Sequence, residues 1–172
     1  MNSIILPLNT ILTKEKFGLI KCSSELVHDS KKKQLRVLMG NFDDALNGSI
    51  LDLIQLMIKN KYELNFFRSD YGPEIMDLAE RELIDIFILV INNIQYQAFN
   101  EVEDRMESSL ILINQIKTTY RKPVIALCGW KKNAFLIDWA KLSADFFFFM
   151  PFEIAVFKEA IEKCLDMLPG FD

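Results

Sequence analysis

The sequence predicts a single α/β domain, a five-stranded parallel sheet doubly wound by helices, with an extension at its N-terminus. Two observations carry this prediction. From residue 35 onward short apolar runs alternate with segments of helical periodicity, and parallel neighbours need crossover helices to join them. The third run, residues 84–91, has no polar alternation, which is the pattern of a strand covered on both faces. At 172 residues and 51% hydrophobic, the chain suits one domain with some additional sequence.

Strands are expected at residues 35–40, 62–67, 85–91, 123–128 and 144–149. After the first, Ile50, Leu51, Leu53, Ile54, Met57 and Ile58 recur at helical spacing, predicting a helix over 48–60 with Asn47 or Ser49 as its N-cap. Pro73 suits the first position of a second helix over 73–82. Further helices are expected over 101–120 and 132–142, and a last one over 152–168 puts Ile154, Phe157, Ile161, Cys164 and Leu165 on one face. The four consecutive phenylalanines at 146–149 should alternate between the two helix layers. The most economical strand order is 2-1-3-4-5. The domain then covers 35–168, and residues 1–34, with Phe17, Leu19 and Ile20, read as a packed or partner-binding extension.

Composition excludes several functions. The net charge of -4 argues against a nucleic-acid surface, and the basic cluster at residues 31–33 is short enough for a solvated linker. Cys22, Cys128 and Cys164 are widely spaced and odd in number, which suggests neither a disulfide framework nor a CxxC metal site. With His28 the only histidine, zinc constellations are out of reach, and no metal or other cofactor is expected. The apolar run at 4–12 is too short to span a bilayer and makes a poor signal peptide. A cytoplasmic location without membrane or nucleic-acid partners is expected.

In open α/β sheets, ligands sit outside the carboxyl ends of the strands. Here those ends carry Asn41, Ser69, Val90, Cys128 and Met150, most of them unreactive. Asp43 and Asp44 could hold a cation or serve the dipole of the following helix. No nucleophile paired with a base, no glycine-rich phosphate loop and no metal triad is visible, so an enzyme is not expected. The loop at 92–100, with Tyr96 and Phe99, reads equally as a contact surface or as a cap on the strand ends.

The segments ADFFFFMPFEIAVFKEAIEKCL from Ala144, PVIALCGW from Pro123 and IDIFILVIN from Ile84, in that arrangement, resemble the receiver domain of two-component response regulators, the CheY-like family with the flavodoxin-like α/β fold. The resemblance covers about residues 35–168. It implies a site where an acidic pair holds magnesium, an aspartate accepts a phosphoryl group, and a hydroxyl and a lysine contact it. Matched by position, the acidic pair falls near Asn41 and Phe42, the acceptor on Val90, the hydroxyl on Cys128 and the lysine on Met150. Asp43 and Asp44 follow the first pair by two residues. The resemblance thus implies a degenerate, phosphorylation-independent receiver, with Pro151 at the position of the family's cis proline.

The loop at 43–49, DDALNGS, is also similar to the D-x-H-x-x-G loop of cobalamin-binding domains on the same kind of sheet. Asp43 and Gly48 match, while the cobalt-ligating histidine falls on Ala45. Val90 and Asn92 stand where that family has Ser-x-Leu, and Cys128 with Gly129 where it has a glycine pair. This resemblance implies a sensor binding cobalamin or another small ligand through Asp43, Asn92 and Gly129. The receiver resemblance implies instead a non-catalytic bacterial signalling module acting through protein contacts, self-association among them, with Trp139 and Phe157 as interface candidates.

Overall fold

The computed structural model describes residues 32–58, 60–81, 83–95, 102–129 and 134–170. Cys22, His28, Tyr96, Phe99 and the segment 130–133 lie outside the described residues. The elements run β1 (Lys33–Gly40), α1 (Asp44–Ile58), β2 (Tyr62–Arg68), α2 (Gly72–Glu80), β3 (Ile86–Val90), α3 (Val102–Gln115), β4 (Val124–Cys128), α4 (Ala134–Ser143), β5 (Phe146–Phe149) and α5 (Ile154–Asp166). All strand pairs are parallel, and the order is β2-β1-β3-β4-β5 as the sequence predicts.

Period-2 alternation divides the core into two layers. Leu38, Phe87, Leu89 and Ala126 face α2, α3 and α4, meeting Ile75, Met106, Leu110, Ile113, Ile137 and Ala140. Leu35, Val37, Met39, Ile86, Ile88 and Val90 face α1 and α5, meeting Ile50, Ile54, Phe157, Ile161 and Cys164. Phe147 and Phe149 join the first layer, Phe146 and Phe148 the second, so the phenylalanine run splits as its period requires. Every residue of β3 and β4 is buried, which explains why their sequences carry no polar alternation.

Two aspartates fasten the N-terminal ends of neighbouring strands. The Asp85 backbone N–H donates to the Arg36 carbonyl at 2.8 Å. The Asp85 carboxylate accepts from the Arg36 backbone N–H at 2.9 Å and from its guanidinium at 3.0 and 2.7 Å. Asp145 repeats the device on β4, donating to the Val124 carbonyl at 3.0 Å. Its carboxylate accepts from Val124 N–H at 2.8 Å and pairs with Lys117. Each carboxylate replaces the strand partner that its neighbour would otherwise lack.

Two element boundaries differ from the sequence reading. α1 begins at Asp44, before the expected 48, because the Asp43 carboxylate accepts from the N–H groups of Ala45 and Leu46 at 2.9 and 3.1 Å. Asp43 is therefore the N-cap, not Asn47 or Ser49. α3 does not run as a regular helix to Tyr120: its last turn, Ile116–Tyr120, widens to a π-helix and ends on Arg121 with φ 53°. Among the described residues no helix is long and apolar enough to cross a membrane.

Candidate functional site

The C-terminal ends of β1, β3 and β4 meet in a chain of side-chain amides. Asn41, directly after β1, is 2% exposed. Its Nδ2 donates to Asn47 Oδ1 and to the Asp43 carbonyl, both at 3.2 Å, and Asn47 Nδ2 returns a bond to the Asn41 carbonyl at 3.1 Å. On the other side, Asn93 Nδ2 donates to Asn41 Oδ1 at 2.6 Å. Asn92 Nδ2 donates to Asn93 Oδ1 at 2.9 Å, and Asn92 Oδ1 accepts from the Gly129 N–H at 3.3 Å. Donors and acceptors thus run in one direction from β4 through the β3 exit to β1 and α1. Aligned amides of this kind polarise one another.

Residues 92–95 form a strap over the same place. They leave β3 and then pair with the exit of β2, so they must cross the end of β1, which lies between those two strands. The Gln95 N–H donates to the Asp70 carbonyl at 2.6 Å, and the Gln95 carbonyl accepts in return from the Gly72 N–H at 2.9 Å, in a parallel bridge of Tyr71 with Gln95. Gln95 Nε2 also reaches the Asp70 carboxylate at 3.1 Å. Beneath the strap Ile94 is fully buried. Gly40 makes room for it: a Cβ there would lie 2.6 Å from Leu89 Cδ2 and 3.3 Å from Ile94 Cδ1. Residues 92–95 of this loop cap the strand ends; its remainder, with Tyr96 and Phe99, lies outside the described residues.

Around this closure the expected site residues separate. Val90 and Cys128 are fully buried within their strands, and Val90 packs toward α1 and α5. Met150 precedes a cis peptide bond to Pro151, and its Cε lies 3.3 Å from where a Gly129 Cβ would be. Phe42 is 55% exposed. Asp43 caps α1, whereas Asp44 forms an ion pair with Arg68, so the two carboxylates serve different partners. Among the described residues no group of three or more acidic, cysteine or histidine side chains could hold a metal ion. A polar hollow of about 340 Å³ remains beside β2, lined by Asn41, Asp44, Arg68, Asp70 and Glu74. Its acids are engaged as well, Asp70 by Gln95 and Glu74 by the Ser69 hydroxyl at 2.5 Å.

The two interface candidates also part. Trp139 is half-buried on α4, where with Phe135 and Leu142 it lines an apolar groove of about 340 Å³; Phe135 is 75% and Leu142 86% exposed. Phe157 is corrected: it is fully buried, stacked on Phe152 at 4.9 Å and edge-on to Phe148 at 5.7 Å, and presents no surface. Phe135 and Leu142, at i and i+7, share the face of Trp139 and carry its exposed apolar surface. Cys164 lies beside Phe157 in the same core, where burial first, and the Asp145 carboxylate second, push its thiol up to about 12. It is a structural thiol, not a nucleophile.

Three solved structures with this architecture define the fold. The signal receiver domain of a DNA-binding response regulator from Colwellia psychrerythraea is 13% identical with a TM-score of 0.58, over 77% of this chain and 98% of that one. A response regulator from Thermotoga maritima is 17% identical with a TM-score of 0.57, over 77% and 98%. A LuxR-family DNA-binding response regulator from Staphylococcus aureus is 19% identical with a TM-score of 0.57, over 76% and 98%. The fold is that of response-regulator receiver domains. No protein-family model and no curated protein matches the chain. Within the receiver fold, the ends of β1, β3, β4 and β5 are the positions at which the sequence resemblance puts the phosphorylation chemistry, and here they carry Asn41, Val90, Cys128 and Met150.

Proposed function

We propose that this chain is a non-catalytic, phosphorylation-independent receiver-fold module that works through protein contacts in a cytoplasmic bacterial signalling system. The carrying observation is the content of the strand ends. Val90 has no oxygen to accept a phosphoryl group, and Met150 has no charge to offset one. Asn41 spends its amide on Asn47, Asp43 and Asn93, and the carboxylates next to it serve other partners, Asp43 capping α1 and Asp44 pairing with Arg68, which is a poor arrangement for holding magnesium. The contact surface we assign is α4, where Phe135, Trp139 and Leu142 stand out as an apolar ridge, and self-association is one of its uses.

Incubating the protein with a small-molecule phosphodonor and magnesium, followed by peptide mapping, tests the reading. Unlabelled protein is expected. Stoichiometric label on Asp43 or Asp44 overturns it. The competing small-ligand reading needs access between β1 and β3, which the 92–95 strap crosses; a stable coloured complex with cobalamin, haem or flavin would favour that reading.

A further inference from the structure

The two most exposed large apolar side chains among the described residues, Leu142 and Phe135, stand on one helix, with Trp139 between them. We propose that this ridge of α4 is covered by α4 of a second copy of the chain, packed antiparallel across a two-fold axis. The pairing names the partner of the contact surface already assigned to α4, and rests on that assignment.

α4 turns Leu136, Ile137 and Ala140 into the core. The opposite face, with Phe135, Trp139 and Leu142 at i, i+4 and i+7, therefore points away from the sheet. The groove on that face is lined by these three and Asp138, all from α4, so its width is that of a single helix. The Phe135 ring leans on Trp139 at 6.3 Å between centroids, which puts aromatic bulk at one end of the ridge and the aliphatic Leu142 at the other. A helix with the same spacing can set its side chains between these rows, and α4 itself has that spacing.

Charge selects the direction. Asp138 and Lys141 form an ion pair at 3.2 Å on one flank of the ridge, where Lys141 Nζ also lies 6.0 Å from the Phe149 ring centroid. Trp139, about 100° further round the helix than Asp138, lies toward the other flank. Antiparallel pairing about a two-fold axis brings like flanks together in opposite senses. Each Asp138 carboxylate then gains the Lys141 ammonium of the other copy, and Phe135 meets Leu142 at both ends. Parallel pairing would set each ion pair against Trp139 and gain no charge partner. A ten-residue helix is about 15 Å long, so the contact falls below about 1,200 Å², the range of weak and transient pairs. A dissociation constant of about 100 μM follows.

Sedimentation equilibrium of the full chain from about 10 μM to about 1 mM brackets that constant and tests the pairing. A monomer–dimer equilibrium is expected. Asp138→Lys and Lys141→Glu, each alone, set like charges together and are expected to weaken the dimer about fivefold at low salt. Mixed in equal amounts, the two variants should form a heterodimer tighter than either homodimer, since one α4 then carries two cations and the other two anions. The double exchange Asp138→Lys with Lys141→Glu should restore self-association, because the flank stays self-complementary. Lys158→Glu, exposed on α5, is the control, and circular dichroism checks that each variant folds. Monomer at every concentration would overturn the second copy as occupant while leaving α4 open to a different protein, and the proposed function standing. Association that ignores these charges, or that the double exchange fails to restore, would overturn the antiparallel pairing. Phosphoryl labelling would defeat the proposed function and leave this measurement readable.

Discussion

Asn93 Nδ2 donates to Asn41 Oδ1 across 2.6 Å, joining two residues 52 positions apart in sequence. This bond ties the exit of β3 to the exit of β1, where the fold would otherwise open a crevice. Asn41→Ala removes three side-chain bonds and takes the partner from Asn47 Oδ1 and Asn93 Nδ2, which should cost about 2–4 kcal/mol. Urea unfolding at neutral pH measures it.

Asn41→Asp is a sharper probe, because it changes charge with little change in volume. The carboxylate still accepts from Asn93 but turns the donations to Asn47 Oδ1 and the Asp43 carbonyl into repulsions. Burial raises its folded pKa above the unfolded value of about 3.9. The folded state then binds the proton more tightly, so stability present at low pH is lost as pH rises through the raised pKa. The gap in urea midpoint from the unsubstituted protein is expected to widen between about pH 4 and about pH 7.

Gly40→Ala places a Cβ against Leu89 Cδ2 and Ile94 Cδ1 beneath the strap. Overpacking there should cost about 1–3 kcal/mol. Leu89→Val withdraws the nearer of the two contacts, so the double variant should be more stable than the sum of the single effects predicts. A thermodynamic cycle by chemical denaturation reads the difference.

The corrected assignment on α4 and α5 gives a contrast. Phe157→Ala empties a fully buried site and should cost about 3–5 kcal/mol. Phe135→Lys and Leu142→Lys, at positions 75% and 86% exposed, should stay within about 0.5 kcal/mol. They should also abolish any concentration-dependent association measured by sedimentation.

Cys164 predicts an alkaline limit. Its folded thiol sits at about 12 against 9.0 for the free group. The folded state keeps a proton that the unfolded chain releases, so stability is intact below 9 and falls as pH rises toward 12. The slope from this group approaches about 1.4 kcal/mol per pH unit. Cys164→Ala should be less stable at neutral pH but flatter above it, as denaturation midpoints across that range will read.

The sheet was legible because β3 and β4 are apolar throughout and because the crossover helices repeat between the strands, which leaves few ways to order them. The start of α1 was not: apolar spacing begins only at Ile50, while the cap is the Asp43 carboxylate. The two acids drew attention as a cation pair, whereas their chemistry is local, one capping a helix and the other pairing with Arg68. The amide chain was hidden for a different reason. Asn41, Asn47, Asn92 and Asn93 all stand near strand ends in the sequence, but an asparagine there reads as an ordinary turn residue. Only the crossing of the strap over β1 turns four such residues into one network.

The most direct test of the account is a magnesium titration followed by NMR at the side-chain amides of Asn41 and Asn93 and the backbone N–H of Gly129. Self-satisfied amides, beside carboxylates that are each engaged by another side chain, predict that these resonances stay in place through millimolar magnesium. Saturable shifts of all three would mean that the strand ends open to a cation, and would contradict the account.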